Sequence, residues 1–343
     1  MSSEQERSTA IEDDPIAYFL EDVRFQGKSE RTRDAYERVL REFEAYLDDR
    51  GLTVRSANHR DCMAWVHRLR GSVGESTVAT YASYLHRFYD YMSQVGAFED
   101  NPMTLVLEEI DESINTDPQR RDVSVPAMRS FVGSIGHPLD HAVVLTLLKT
   151  GIRAGELCNL DTRDVHLDRA ADESPHRAQL EGRPNSIFVD DTPAQGQTYN
   201  GERRTASNKR KRATTIPVDD ELSAALTRWL AIRPDSPSPA DPLFVGTTEG
   251  WGERLDPQAV RHVVERYARD AGWYRTGGGA AENVTPHYFR HFFTTHLRDR
   301  TGDRGVVKYL RGDVADDVID TYTHNWGDQV RETYEANVYR LLG

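Results

Sequence analysis

Three short strings in the second half of the chain contain residue types that can act together on a phosphodiester. T-G-I-R-A-G-E-L holds Arg153, H-Y-F-R-H runs from His287 to His291, and I-D-T-Y-T-H holds Tyr322. Planar guanidinium groups bind the non-bridging oxygens of a phosphodiester through parallel hydrogen bonds and keep their charge. With histidines nearby to accept its proton, a tyrosine can then attack the phosphorus atom without a metal ion.

The string from His287 to His291 is the strongest single motif. Positions three and four apart lie on one face of a helix, so His287, Arg290 and His291 are expected to project together. Thr285 is predicted to cap this helix and Pro286 to occupy its first turn, where the helix dipole favours an anion. Two alternatives are a purely structural role for the histidines and a zinc site. The string lacks the glutamate of the zinc-protease motif and places an arginine beside the cation.

The overall charge is acidic, which argues at first against a nucleic-acid partner. The formal net charge is −13 and the pI about 5.4, whereas DNA-binding domains are usually basic. Nearly all the basic residues are arginine, since lysine occurs only at Lys28, Lys149, Lys209, Lys211 and Lys308. This composition suggests a very salty cytoplasm, where charges are screened within about 3 Å. A halophilic source is therefore a hypothesis, and the alternative is an acidic enzyme that never meets DNA.

The chain is predicted to form two domains, since its length allows each to bury a core of its own. Residues 1–13 are expected to be disordered, residues 14–110 to form a helical domain, residues 111–122 a linker and residues 123–343 a second domain. Helical periodicity predicts four helices in the first domain, near residues 16–23, 29–49, 62–69 and 78–92.

The second domain is predicted to be mostly α-helical around one small β-sheet. Strand-like runs cover Ser186 to Val189 and Thr214 to Val218. Helices are predicted at residues 126–135, 139–150, 154–160, 220–231, 257–271, 286–299, 304–311, 315–322 and 328–342.

Several classes of protein are excluded by what the sequence lacks. No apolar run is long enough to span a membrane and the first residues form no apolar signal segment, so a cytoplasmic location is expected. Cys62 and Cys158 stand in helical stretches without metal-ligand spacing and are predicted to be buried free thiols. Neither a metal ion nor a cofactor is expected.

These strings resemble the motifs of the tyrosine recombinase family, which includes phage integrases and Xer proteins. The family patterns are T-G-[LI]-R-x-x-E-L, T-P-H-x-L-R-H-T-F-A-T-H and T-x-x-Y-[TA]-H. The first domain resembles the family's core-binding, SAM-like DNA-binding domain, because residues Tyr81 to Met92 follow the pattern Y-x-x-x-L-x-x-F-x-x-Y-M. The resemblance implies a mixed α/β catalytic domain of the tyrosine recombinase type. It also implies DNA strand exchange through a 3′-phosphotyrosyl intermediate, for DNA integration or for resolution of chromosome or plasmid dimers.

The resemblance also implies a role for each site residue. Tyr322 is the expected nucleophile, with Tyr334 as the runner-up, and Arg153 and Arg290 hold the phosphate. His287 and His291 manage the tyrosine proton. In the basic run K-R-K-R before an apolar-proline pair, Lys209 is the expected acid for the leaving 5′ oxygen and Lys211 is the reserve.

A wider set of polar residues is predicted to support the site or to contact DNA phosphates. Glu156 is expected to brace Arg153. The predicted DNA-contacting residues are Lys28, Arg31, Arg33, Thr77, Arg87, Arg203, Arg204, Arg210 and Arg212. The alternative for each is a solvated side chain.

One position departs from the family pattern. The family usually has histidine or tryptophan where this chain has Asp313, in the string L-R-G-D, and an ionised carboxylate repels phosphate. We expect Asp313 to turn away and brace Arg311 or another site residue, with Arg311 replacing the lost donor. The alternatives are that Asp313 stays protonated or that the activity is weakened.

The partners implied by the resemblance are a double-stranded DNA recombination site and copies of the same chain. Four protomers are expected on two duplexes, with no membrane and no small-molecule substrate. Two other functions stay open at this point: DNA relaxation like that of a type IB topoisomerase, and a catalytically weakened DNA-binding relative, the latter because of Asp313.

Overall fold

The computed structural model describes residues 13–114, 119–168, 176–313 and 326–342. The chain divides into two compact units, Met1–Asp117 and Pro118–Gly343. Each unit has its own hydrophobic core. The division lies within residues 111–122, the stretch predicted as a linker.

The first unit is helical. Its helices are α1 (Pro15–Phe25), α2 (Glu30–Asp48), α3 (His59–Leu69), α4 (Glu75–Gln94) and α5 (Met103–Glu109). Side chains of Asp14, Ser29 and Asn58 accept hydrogen bonds from the first turns of α1, α2 and α3, which fixes where these helices begin. Their apolar faces meet in an aromatic core, where Phe43 packs edge-on against Trp65.

Helix α5 was not among the four helices predicted for this unit, so the four-helix prediction is wrong. Met103 and Val106 are fully buried against α3 and α4, and the side chain of Asn101 accepts a hydrogen bond from the Met103 backbone. The helix has seven residues, too few for its apolar spacing to stand out in the sequence.

The second unit combines helices with two small antiparallel sheets. Its helices are α6 (Val125–Gly133), α7 (Pro138–Thr150), α8 (Ala154–Cys158), α9 (Asp220–Leu230), α10 (Pro257–Asp270), α11 (Pro286–Thr301), α12 (Arg304–Arg311) and α13 (Trp326–Asn337). Its strands are β1 (Val165–His166), β2 (Ser186–Val189), β3 (Thr198–Tyr199), β4 (Glu202–Arg203) and β5 (Thr214–Pro217).

The larger sheet has the order β1-β2-β5, with Val189 opposite Thr214 and Ser186 opposite Pro217. The two predicted strands are therefore present and paired, and β1 was missed. The chain between β2 and β5 carries the basic run and the β3–β4 hairpin. The predicted fold class, mostly helical with a small sheet, is confirmed.

Helix α7 forms the centre of the second unit. Its side chains from Leu139 to Thr150 are buried, apart from His141, and it packs against α9 and α11. The C-terminal residues also reach it, since the hydroxyl of Tyr334 donates to the Lys149 carbonyl at 2.9 Å. The ammonium of Lys149 is itself fully buried and is neutralised by Asp219 and Glu221, at 2.5 and 2.6 Å.

Two further predictions, one about a helix cap and one about the cysteines, have different outcomes. Thr285 stands at the N-cap of α11, but its side chain makes no capping hydrogen bond. Cys62 and Cys158 are both free and buried, as predicted. The helix predicted for residues 315–322 lies outside the described residues. Among the helices that are described, none has the length and apolar character needed to cross a bilayer.

Candidate active site

Three arginines from three different helices converge on one carboxylate. Arg153 is the N-cap residue of α8, Arg290 lies in α11 and Arg311 ends α12; we call these three the arginine cluster. The Nη2 atom of Arg153 donates to Asp313 Oδ1 at 2.9 Å. The Nη2 atoms of Arg290 and Arg311 both lie 2.8 Å from Asp313 Oδ2. The cluster is thus arranged around one anionic group.

Backbone carbonyls fix Arg290 from behind. Its Nη1 donates to the Gly151 carbonyl at 2.7 Å and its Nη2 to the Arg311 carbonyl at 3.0 Å. Gly151 ends α7 with a φ of +64°, and a Cβ at this position would overlap the ring of Phe293. Only glycine therefore brings this carbonyl close enough to hold the guanidinium in place.

A buried ion pair lies beneath the cluster. Glu156 is fully buried; its carboxylate accepts from the Arg153 backbone N–H at 2.9 Å and from Arg153 Nη1 at 2.7 Å. On its other side, Arg210 Nε lies 3.4 Å from Glu156 Oε2, and Arg210 Nη2 donates to the Leu310 carbonyl at 3.1 Å. The predicted bracing of Arg153 by Glu156 is therefore present in the structure.

The charges in the cluster shift one another's pKa values. Burial and the nearby charge of Arg153 lower the pKa of Arg290 to about 10, while Asp313 acts in the opposite direction. Burial alone raises the pKa of Asp313, but Arg290 and Arg311 outweigh it and hold this pKa below its ordinary value. Asp313 is therefore an ionised carboxylate that partly offsets the repulsion among the guanidinium groups.

His287 stands in the first turn of α11 and reaches the surface. Partial desolvation and the charges of Arg120, Arg290 and Arg153 lower its pKa below the ordinary value. It borders a cavity of about 490 Å³ that is also lined by Arg120, Arg261 and Tyr274. A neutral imidazole beside several guanidinium groups can accept a proton from a nearby hydroxyl.

His291 lies one turn further along α11 and is half-buried. Its ring centroid is 6.1 Å from that of Tyr288. No group of three or more possible metal-ligating side chains occurs within the described ranges.

The basic run lies in the connection that leads into β5. Arg210 points inward to Glu156, whereas its neighbours Lys209 and Lys211 are exposed on either side. Because Arg210 contacts Glu156, the backbone of both lysines lies close to the arginine cluster. Both predicted acids therefore stay candidates.

Both units of the chain match known protein families. A sequence profile described as "Phage integrase family" matches residues 194–327, and one for "Phage integrase, N-terminal SAM-like domain" matches residues 16–96. Tyrosine recombinase XerC of Thermodesulfovibrio yellowstonii is 24% identical over 334 residues, which cover 94% of this chain and 95% of the relative. Tyrosine recombinase XerA of Pyrococcus horikoshii is 24% identical over 335 residues, which cover 96% of each chain. The chain belongs to the phage integrase family of tyrosine recombinases.

Solved structures share the fold of this recombinase. The Tn1549 transposon integrase, solved with a circular intermediate DNA, superposes with a TM-score of 0.64 at 19% identity, over 94% of this chain and 99% of that one. A lambda integrase dimer bound to a COC′ core site gives a TM-score of 0.62 at 12% identity, over 89% of this chain and 96% of that one. The matches to the phage integrase profile and to the Xer recombinases do not favour the topoisomerase-like function or the catalytically weakened relative.

The predicted nucleophile, Tyr322, lies outside the described residues of the recombinase. The runner-up, Tyr334, is fully buried, and its hydroxyl donates to the Lys149 carbonyl. Burial also raises its pKa well above the ordinary value. A fully buried hydroxyl has no access to a DNA phosphate, so the runner-up prediction is wrong.

Two of the arginines predicted to contact DNA are internal, and both predictions are wrong. Arg204 is 1% exposed, and its guanidinium forms paired hydrogen bonds with Asp161 at 3.0 and 2.9 Å. Arg210 is 6% exposed and belongs to the ion pair beneath the cluster. Each is held by a carboxylate that is distant in sequence, which a run of basic letters does not reveal.

The other predicted DNA contacts lie at or near the surface. In the second unit Arg203 and Arg212 are exposed, and Arg212 stacks over the ring of Tyr309. In the first unit Lys28, Arg31 and Arg87 are exposed, and Arg33 and Thr77 are partly exposed. Arg87 donates to Gln26 at 3.2 Å, which places it near Lys28. These contacts with DNA stay predictions.

Asp313 contacts Arg311, as expected, but it does not turn away from the site. It binds all three members of the cluster, including the two arginines predicted to hold phosphate. The sequence prediction also missed Gly151 as the anchor of Arg290 and Arg120 as a charge beside His287. The glycine before isoleucine and Arg153 was visible as a helix end, but its bond to Arg290 was not.

Proposed function

We propose that the recombinase cuts and rejoins DNA strands site-specifically, with Tyr322 as the nucleophile that forms a 3′-phosphotyrosyl link and frees a 5′ hydroxyl. Arg153, Arg290 and Arg311 bind the non-bridging oxygens of the scissile phosphate and stabilise the charge that develops on them. The observation that carries this proposal is the convergence of three Nη2 atoms on one anion, Asp313.

Proton transfer completes the reaction. His287 takes part in removing the tyrosine proton, because its lowered pKa keeps it neutral at neutral pH, and His291 assists from the next turn of α11. Lys209, with Lys211 as the alternative, gives a proton to the leaving 5′ oxygen. The phosphotyrosyl link retains the energy of the cleaved ester bond, so the 5′ hydroxyl of a second strand can reverse the step without a cofactor.

The proposed partners are a duplex recombination site and further copies of this chain. A lambda integrase tetramer bound to a Holliday junction has been solved and shares the fold, with a TM-score of 0.62 at 13% identity. By analogy we propose four protomers on two duplexes. The exposed basic residues of both units then lie against phosphates, which orient the protein without reading the sequence.

Covalent trapping tests the cleavage step. Duplexes selected from a random pool by binding to Tyr322→Phe, and then nicked at successive positions, serve as suicide substrates. The wild-type protein should form a complex that survives denaturing electrophoresis, and Tyr322→Phe should not. Tyr334→Phe is the matched control and should still trap DNA.

Each other outcome of the trapping experiment has a definite meaning. Trapping by Tyr322→Phe would show that another residue is the nucleophile. Binding without trapping by the wild type would disprove strand cleavage. Relaxation of a supercoiled plasmid that lacks the selected site would instead indicate a topoisomerase-like activity.

A substrate with sulfur in place of the bridging 5′ oxygen identifies the general acid. A thiolate leaves without protonation, so a variant that lacks the acid regains cleavage on this substrate, whereas a variant that lacks a phosphate contact does not. Lys209→Ala should lose cleavage of the oxygen substrate and regain it with sulfur. Cleavage by Lys211→Ala should change little when sulfur replaces the oxygen. The opposite pattern would show that Lys211, and not Lys209, is the general acid.

A further inference from the structure

The arginine cluster of this protein is occupied by a carboxylate of its own chain. Each of its three members directs an Nη2 atom at Asp313, and together these bonds engage both carboxylate oxygens. Asp313 is about one-third exposed, and Arg153 and Arg311 are exposed to a similar degree, so the group is reached from solvent. Arg290, 2% exposed, forms the floor.

The carboxylate resembles the group that the cluster is built to bind. A carboxylate and a phosphodiester each carry one negative charge shared by two oxygens, and guanidinium groups bind both through the same parallel hydrogen bonds. A phosphate bound in the place of this carboxylate would need the same N–H groups, so Asp313 and the phosphate compete for them. The guanidinium of Arg290 cannot easily reorient, because its Nη1 and Nη2 also donate to the Gly151 and Arg311 carbonyls.

We propose that Asp313 is an internal mimic of the scissile phosphodiester, which occupies the arginine cluster until DNA displaces it. This inference rests on the proposed function of the same site and adds a competition step to it. In the DNA-free state the mimic holds the three guanidinium groups in the geometry that a phosphate requires. It also weakens binding of free anions, since they must first displace a tethered carboxylate.

The size of the effect follows from the fraction of molecules whose cluster is open. If Asp313 occupies the cluster nine-tenths of the time or more, the apparent affinity for an anion falls by about tenfold or more. Asp313→Asn removes the charge while keeping the size, and Asp313→His removes the carboxylate and supplies the residue type that the family resemblance predicts here. Both should therefore bind phosphate about tenfold or more tightly than the wild type.

Inorganic phosphate is the first probe, because it requires no knowledge of the DNA site. Thermal unfolding of the full chain is followed during titration with phosphate against chloride at constant ionic strength, since a ligand that binds the folded state raises Tm. Asp313→Glu keeps the carboxylate and should behave like the wild type. Asp235→Asn is the matched control: Asp235 is exposed, so the variant makes the same charge change away from the cluster.

Single-turnover trapping on the suicide substrate is the second probe. Asp313→Asn should reach half-maximal trapping at about one-tenth of the wild-type DNA concentration, whatever its maximal rate. If Asp313 only braced the arginines, its loss would instead raise the half-maximal concentration and lower the rate.

The inference is overturned if Asp313→Asn and Asp313→His bind phosphate no more tightly than the wild type, or if Asp235→Asn gains as much. The phosphate titration does not depend on cleavage. A wild-type protein that traps no DNA therefore disproves the proposed function, and an unchanged phosphate affinity disproves the mimic.

Discussion

Replacing Glu156 with glutamine should strongly destabilise the second unit, because the change leaves a buried arginine without its carboxylate. The side chains of Glu156 and Arg210 are both fully buried, with 3.4 Å between Oε2 and Nε. Burial already lowers the pKa of Arg210, and Glu156 is the main group that opposes this shift. Arg210 Nε and Nη1 have no hydrogen-bond partner among the described residues, so little else compensates the charge.

The expected magnitude follows from the cost of an uncompensated buried charge. Removing one partner of a buried ion pair costs about 3–5 kcal/mol. In a unit of this size each kcal/mol lowers Tm by about 2–4 °C, so Glu156→Gln should lower Tm by about 6–20 °C. Arg210→Met should cost less, because Glu156 keeps both of its bonds to Arg153. Adding Arg210→Met to Glu156→Gln should restore more than half of the lost stability, since no buried charge is then unpaired.

Urea unfolding of the full chain measures these differences. Four of the five tryptophans lie in the second unit, at positions 229, 251, 273 and 326, so tryptophan fluorescence reports mainly on that unit. A loss of less than about 1 kcal/mol for Glu156→Gln would refute the reasoning. So would a double variant as unstable as the single one, because the penalty would then not arise from Arg210.

Three further predictions use other features of the structure. Gly151→Ala should lower the free energy of unfolding by about 2–5 kcal/mol, because it combines left-handed backbone strain with an overlap with Phe293. Gly302 also ends a helix with positive φ but has open space around it, so Gly302→Ala should lower this free energy by only about 1–2 kcal/mol. Urea unfolding compares the two variants. Because the pKa of His287 is lowered, the folded protein protonates this imidazole less readily than the unfolded chain does. Stability is therefore lost as the pH falls below 6.5, the ordinary pKa of histidine, and His287→Gln should flatten that part of the stability–pH curve. Burial raises the pKa of Cys62 to about 12, and both cysteines are buried, so a thiol reagent should label neither in the native protein and both in urea.

Each of these predictions has a result that contradicts it. Equal losses for the two glycine variants would show that the overlap with Phe293 is relieved at no cost. An unchanged acid limb in His287→Gln would mean that other groups cause the acid sensitivity. Labelling of one thiol in the native state would place that cysteine at an accessible surface.

Local patterns predicted the parts of the fold that depend on local forces. Helical spacing of apolar residues found α2 and α11 to within about two residues, and β-branched runs found β2 and β5. Helix α5 was missed because its seven residues are too few to show helical periodicity in the sequence. Strand β1 has only two residues and exists because β2 offers it a partner.

Contacts distant in sequence explain the errors in the basic run. Arg203 and Arg204 are neighbours in the sequence, yet one is exposed and the other is fully buried on Asp161, which lies 43 residues earlier. Arg210 is likewise buried between the exposed Lys209 and Lys211, because it pairs with Glu156 and donates to the Leu310 carbonyl. Composition cannot separate a solvated arginine from a paired one, since the difference lies in the partner and not in the residue.

The position of Asp313 follows from the same electrostatic constraint that makes the site useful. Three guanidinium groups brought together to bind phosphate repel one another when no phosphate is present. Burial, together with this repulsion, lowers the pKa of Arg290 to about 10. Asp313 offsets part of that cost in the DNA-free state, and Glu156 offsets another part from below. A neutral residue at position 313 would leave the cluster with more positive charge and greater attraction for DNA, but also with a less stable free protein. The aspartate therefore lowers the affinity of the site for phosphate, but it holds the site in its binding geometry before DNA arrives.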